Sequence, residues 1–251
     1  MDKLIRKITK LLIPVLFLFL AFLPNHFAKA ESNASYEQNI QQLLELQPEL
    51  TESELLESLA IGAEETGMSE EELAQLAVQE LEAVIANENT TTTKGNTNAQ
   101  PYATLYLKNG NNKGDIFHTS SSTLGIDHGH VGIYYTTSQV VESIPSTGVR
   151  TVSVGSRVIE SGTVLMTVST TTANRNAAAN WAASRAGVDG YSYNFATNRL
   201  TAHTGDKNCS KLVWSAYQLN GGLDIDSNGG TGVYPNDIKN SSLTSTYKTI
   251  S

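Results

Sequence analysis

The chain's net negative charge comes from one stretch, and this uneven distribution divides the sequence before any motif is read. Residues 31–100 hold fifteen Glu, no Asp and a single Lys, Lys94, for a net charge of −14. Residues 101–251 hold eleven Lys/Arg and nine Asp/Glu, a net charge of +2. A segment so acidic can bury only a narrow apolar stripe, which favours amphipathic helices over strands buried on both faces. The nearly neutral remainder lacks the basic surplus of a nucleic-acid footprint, so no nucleic acid is expected as a partner. At 251 residues, 39% hydrophobic and 17% charged, the chain is neither collagen-like nor wholly disordered. It has room for one good-sized domain or two small ones. The single cysteine, Cys209, excludes an intramolecular disulfide and a multi-cysteine zinc site.

Within the acidic segment, leucines recur at helical spacing with Glu and Gln between them. They are Leu43, Leu44, Leu46 and Leu50, then Leu55, Leu56 and Leu59, then Leu73, Leu76, Ala77, Leu81, Val84 and Ile85. This predicts two or three amphipathic helices, interrupted at Pro48 and near Gly62 to Gly67. Ser69, with Glu72 three residues on, forms a capping-box start for the last of them. Residues 88–101 are polar and without apolar period, and read as a linker. The segment 31–87 is therefore either a solvated helical hairpin or a pro-region or partner-binding segment that docks on the C-terminal domain.

Ahead of it, Lys3, Arg6, Lys7 and Lys10 precede the apolar run Leu11-Leu-Ile-Pro-Val-Leu-Phe-Leu-Phe-Leu-Ala-Phe-Leu-Pro24, and Ala28-Lys-Ala30 follows. A basic start, an apolar centre and an A-x-A site are the order of a secretory signal peptide, cleaved here after Ala30. The run is shorter than the roughly 20 residues that span a bilayer, which disfavours a retained anchor. The expected destination is secreted, extracellular or associated with the cell wall, with the membrane met only during export. The folded domain is then 102–251.

Short β-rich runs fill its first half: residues 103–108, 131–135, 139–142, 149–154 and 163–168. Helices are expected over 172–185, ended by Gly187, and from Asn208 to Leu219, ended by Gly221-Gly222. Strands followed by helices in one domain define the α+β class.

Cys209 stands where the second helix begins. The unpaired N–H groups and partial positive charge of a first turn stabilise a thiolate, a nucleophile if a base and an orienting group stand near. By position alone, a buried packing cysteine is the competing reading. His130 opens a β-like run, and Glu142 lies in the next one. If those strands are adjacent and antiparallel, the carboxylate reaches the imidazole; otherwise Glu142 faces solvent. His128-Gly-His130 is also a possible metal pair, completed by Asp127 or Asp115. His118 and His203 read as structural histidines.

The pieces together resemble a known family. Gly114-Asp-Ile116, His130-Val-Gly-Ile-Tyr134, Val140-Val-Glu142 and Gly148-Val149 are similar to successive motifs of the NlpC-type papain-like cysteine hydrolases. So are Gly190-Tyr-Ser-Tyr-Asn-Phe195, Asn208-Cys-Ser-Lys-Leu-Val-Trp-Ser-Ala-Tyr217 and Tyr234-Pro-Asn-Asp-Ile238. Histidine precedes cysteine, as in the circularly permuted, YiiX/YebB-like branch, which is related to lecithin:retinol acyltransferase-like proteins. The similarity covers roughly residues 110–240 and leaves the acidic segment unexplained. It implies a permuted papain-like (NlpC-type) domain, with a small antiparallel sheet and packed helices. It further implies Cys209 as nucleophile, His130 as base and then acid, and Glu142 as the orienting third member, with Asp115 and Tyr193 in support. Lys211 departs from the Glu common at that position and alters the expected charge of the pocket. No cofactor or metal is implied, and the substrate is a peptide or acyl compound, by default cell-wall peptidoglycan. A lipid-acting esterase or acyltransferase, and a non-catalytic cell-surface binding module, are the alternatives on the same fold.

Overall fold

The computed structural model describes residues 25–91, 104–123, 126–127 and 129–251. The signal-peptide reading falls almost wholly outside them, as do most of the expected linker and His128. Three helices come first: α1 (Asn25–Leu46), α2 (Glu52–Thr66) and α3 (Glu70–Thr91). Strands β1 (Leu105–Tyr106), β2 (Ile116–Thr119), β3 (Ser122–Thr123), β4 (Ile126–Asp127), β5 (His130–Thr136), β6 (Gln139–Ile144), β7 (Gly148–Ser153), β8 (Val158–Ile159) and β9 (Thr163–Val168) follow. Then come α4 (Thr172–Arg185), α5 (Cys209–Leu219), α6 (Pro235–Asn240) and the last strand, β10 (Thr244–Ile250). The described residues thus form an α+β fold with six helices and antiparallel sheets.

Capping sets where the early helices begin. Thr51 and Glu54 exchange backbone and side-chain hydrogen bonds at the start of α2, and Ser69 and Glu72 do the same ahead of α3, with Ser69 N–H donating to Glu72 at 2.9 Å. Gly67 ends α2 with φ +75°, a left-handed conformation that suits glycine. The break falls at Gly67, the far end of the interruption expected from Gly62 to Gly67, and Gly62 itself lies within the helix. A glycine suits that position because Leu200 packs where a side chain would be; a Cβ there would stand 2.6 Å from Leu200 Cδ1. The expected linker also begins later than residue 88, since α3 continues to Thr91.

Six strands form one antiparallel sheet in the order β10-β9-β2-β5-β6-β7. Side chains alternate across it. Val131, Ile133 and Val141 join Ala178, Ala179 and Ala182 of α4 and Leu212, Val213 and Ala216 of α5 in the main core, all buried. The small alanines let α4 lie close on the sheet. The opposite face carries Phe117, Tyr134, Val140 and Leu165 in a second cluster. Sequence reading missed β2 because four residues between turn-like neighbours show no period. It missed β10 because Thr244-Ser-Thr-Tyr-Lys-Thr-Ile250 is a mostly polar edge strand.

A third buried cluster joins the helical segment to the C-terminal domain. Leu55, Leu59, Leu73, Ala77 and Leu81 pack with Ala196, Leu200 and Tyr234. Glu80 meets two aspartates at this seam. Burial, followed by Asp226 and Glu80, pushes Asp237 up to about 7 from the ordinary 3.8, against the opposing hydrogen bonds from Tyr234 and Ser227. A carboxyl whose folded value is raised favours the folded state while protonated, and that contribution is lost as pH rises from 3.8 through 7. Asp237→Asn, which keeps an acceptor for the Tyr234 N–H, should therefore raise the melting temperature at pH 7.5 and leave it unchanged near pH 3. Thermal melts across that range check the sign.

Candidate active site

The register of β5 and β6 decides whether His130 and Glu142 can meet. Ile133 pairs with Val141, so Glu142 lies opposite Gly132 and one diagonal step from His130, on the same face. His130 Nε2 lies 2.8 Å from Glu142 Oε2. A carboxylate only accepts, so Nε2 carries the proton and Nδ1 is the nitrogen left for another partner. Cys209 is the neighbour whose charge and side-chain hydrogen bonding act on that ring. Gly129, at φ +71°, lets the chain turn into β5 just before His130, where a Cβ would collide with the His118 ring.

Glu142 has no exposed surface and is clamped from two sides. Arg150 donates to Oε1 from Nε at 3.0 Å and from a terminal nitrogen at 2.6 Å. Arg157 donates from Nε to Oε2 at 2.6 Å, sharing that oxygen with His130. Burial alone would raise the Glu142 carboxyl. The hydrogen bond and charge of His130, then the charge of Arg157 and the hydrogen bond of Arg150, outweigh it and hold the group at about 2. Burial would likewise lower His130. The charge and hydrogen bond of Cys209, followed by those of Glu142, hold it up at about 9.

Cys209 is buried, as the first residue of α5. Asn208 caps that helix, its Oδ1 accepting the Lys211 N–H at 3.0 Å while its Nδ2 donates to Asn194 O at 2.8 Å. Ser143 Oγ, beside Glu142, donates to Lys207 O at 2.6 Å. This bond ties the strand that carries the carboxylate to the entry of the helix that carries the thiol.

The other predicted residues stand elsewhere. Asp115 precedes β2, whose far end, Thr119, is the one paired with His130. Its Oδ2 accepts from Asn112 N–H at 2.8 Å and Tyr247 O–H at 2.9 Å, which fixes the start of β2. Tyr193 packs edge-on against Tyr191 with ring centres 4.9 Å apart. Tyr191 is the tyrosine that senses the thiol: burial, then the neighbouring Cys209 and Tyr193, push its hydroxyl well above the ordinary value. Lys211, two residues past Cys209, projects from the opposite side of α5. Its Nζ donates to Thr201 O at 2.7 Å over the Trp214 ring, and burial, then Lys207, push it down to about 7. The departure from the family pattern thus places no charge beside the thiol. His118 lies 2.9 Å from Asn236 Oδ1 and His203 lies 2.9 Å from Ser215 Oγ, as structural histidines do. The metal reading of His128 with His130 rests on a residue outside those described.

Sequence reasoning missed Arg150, Arg157, Tyr191 and Asn208. Only Arg150 left a usable signal: once β6 and β7 are read as a hairpin, it lies directly across from Glu142.

A buried cysteine at a helix start, a histidine and a doubly clamped glutamate on adjacent strands of an α+β fold define the class of site. No family model matches the chain. Over 138 residues it is 52% identical to uncharacterized protein YycO of Bacillus subtilis (strain 168). The match spans 55% of this chain and 56% of that protein, so the chain covers little more than half the length of the relative. Among solved structures it is similar to the crystal structure of metalloprotein yiiX from Escherichia coli O157:H7, DUF1105. That likeness has a TM-score of 0.40 and 14% identity, covering 58% of this chain and 98% of the other. At that level it carries no argument about chemistry.

Proposed function

We propose that this chain is an exported cysteine hydrolase with a circularly permuted, NlpC-type papain-like domain, cleaving amide bonds through Cys209, His130 and Glu142. The observation that carries the reading is the His130 ring bonded to a buried carboxylate, which His130 itself and then two arginines keep ionised, with Cys209 near enough to raise the ring's proton affinity. The motif series from Gly114 to Ile238 supports the same family.

His130 takes the thiol proton, and the Cys209 sulfur attacks the substrate carbonyl carbon. The carbonyl π-electrons move to oxygen, and the resulting oxyanion is stabilised by N–H groups at the start of α5, including that of Cys209. Collapse of this intermediate breaks the C–N bond as His130 gives its proton to the leaving amine, leaving a thioester. Water then attacks the thioester carbon as His130 takes its proton; collapse breaks the C–S bond, the sulfur takes that proton from His130, and the carboxylic acid leaves. Glu142 fixes the tautomer and stabilises the imidazolium at each step.

Export past the membrane makes the peptide amides of cell-wall peptidoglycan the default substrate. The test is to incubate the full chain, and its Cys209→Ala form, with purified wall peptides and simple acyl esters, each with and without an added acyl acceptor. Mass spectrometry should show sulfur-dependent hydrolysis of an amide. Transfer to the acceptor instead of water would favour the acyltransferase alternative. No turnover of either class, with a thiol that resists iodoacetamide at neutral pH, would favour the binding module.

A further inference from the structure

Residues 190–197 approach the thiol without strand or helix structure, so their buried polar groups need partners from elsewhere. The helical segment supplies them. Gln47, in the link between α1 and α2, accepts the N–H groups of Phe195 and Ala196 on its Oε1 at 2.9 and 3.1 Å. Ser58 of α2 lies 2.6 Å from Thr197 Oγ1. Thr197 and Asn194 bond each other through Thr197 N–H to Asn194 Oδ1 at 3.0 Å and Asn194 Nδ2 to Thr197 Oγ1 at 2.8 Å. Asn208 then donates to Asn194 O and caps the helix that begins with Cys209. Ser58, Thr197, Asn194 and Asn208 are all buried, so the chain of bonds is shielded from water throughout.

A second tether holds the loop on the other side. Glu80 of α3 accepts the N–H groups of Thr231 and Gly232 at 2.7 and 3.2 Å, and the neighbouring Val233 N–H donates to Asn198 Oδ1 at 2.7 Å. Asn198 in turn donates to Asn208 Oδ1 at 3.1 Å. Removing the helices would strip partners from the N–H groups of Phe195, Ala196, Thr231 and Gly232, and would expose Leu200 and Tyr234. Losing those bonds would leave the loop to find new partners and would open an apolar seam to water.

We propose that the acidic three-helix segment is a permanent part of the active site, with Ser58 a positioning residue that acts on Cys209 through Thr197, Asn194 and Asn208. The inference rests on the reading of Cys209 as nucleophile and deepens it: the segment is not a removable pro-region. In the full chain, Ser58→Ala should lower kcat by about tenfold with KM unchanged, because it loosens where the sulfur sits rather than how substrate binds. Ser58→Thr, which keeps the hydroxyl, should restore kcat. A second measurement covers the case in which Ser58→Ala does not fold. A protease site placed between residues 92 and 103 and cut in the folded protein should leave both pieces co-eluting and fully active, with any dissociated C-terminal piece inactive.

Wild-type kcat in a folded Ser58→Ala, or a dissociated C-terminal piece as active as the uncut chain or more so, would overturn the proposal. Turnover by Cys209→Ala run beside these variants would instead overturn the assignment of the nucleophile, so the two failures are separable.

Discussion

Cys209→Ala should abolish turnover while leaving the fold intact, because the change removes one buried sulfur and adds nothing to clash. The sulfur forms and breaks the covalent bond, and none of the groups around it can replace it. Asn208 carries an amide, Tyr191 has its hydroxyl held protonated, and Lys211 points away on the far side of α5. The kinetic loss should therefore reach the background of the assay rather than a fraction of the wild-type rate. Circular dichroism on the same sample separates lost chemistry from lost fold.

Glu142→Gln should have two effects with different sizes. Turnover should fall by about 10- to 100-fold, as expected for loss of a group that orients a reacting side chain rather than reacting itself. Stability should fall as well, because Arg150 and Arg157 lose the charge they surround. Breaking a fully buried pair costs roughly 3–5 kcal/mol. The Arg150 and Arg157 side chains keep 36% and 18% of their exposure, so water takes up part of that loss and about 2 kcal/mol is expected.

The pH dependence has a definite sign. Glu142 sits at about 2 against an ordinary 4.5, so its contribution to stability is full above 4.5 and is lost as pH falls through 2. His130 sits at about 9 against 6.5, so its contribution is full below 6.5 and is lost as pH rises through 9. Denaturant unfolding as a function of pH should show both limbs in the wild type and a flattened acid limb in Glu142→Gln.

The sequence carried the local features of this molecule better than the distant ones. The Ser69–Glu72 box, the α4 and α5 spans, and the strands around 131–135, 139–142, 149–154 and 163–168 follow from capping, periodicity and turn residues within a few positions. The meeting of His130 with Glu142 was also legible, because a tight turn at residues 137 and 138 makes β5 and β6 neighbours. The break between Gly62 and Gly67 was legible, but the reason for a glycine at 62 lies 138 residues away, in the side chain of Leu200. Arg157 gave no signal, since its approach to Glu142 depends on the turn at residues 154–156 that no period announces. Tyr193 and Tyr191 are two apart in an irregular loop, where nothing in the sequence says which ring faces the thiol. The docking of α2 and α3 was a bare alternative until the side-chain partners of Phe195, Ala196 and Thr231 were in view.

The most direct test follows the imidazole itself, by NMR titration of the His130 ring protons in the wild type and in Cys209→Ala. A wild-type midpoint near pH 9 that drops once the sulfur is removed is the predicted result, because the thiol is the largest influence raising it. A midpoint at or below the ordinary 6.5, indifferent to the loss of Cys209, would mean that sulfur and ring do not share a proton, and the proposed chemistry would have no base.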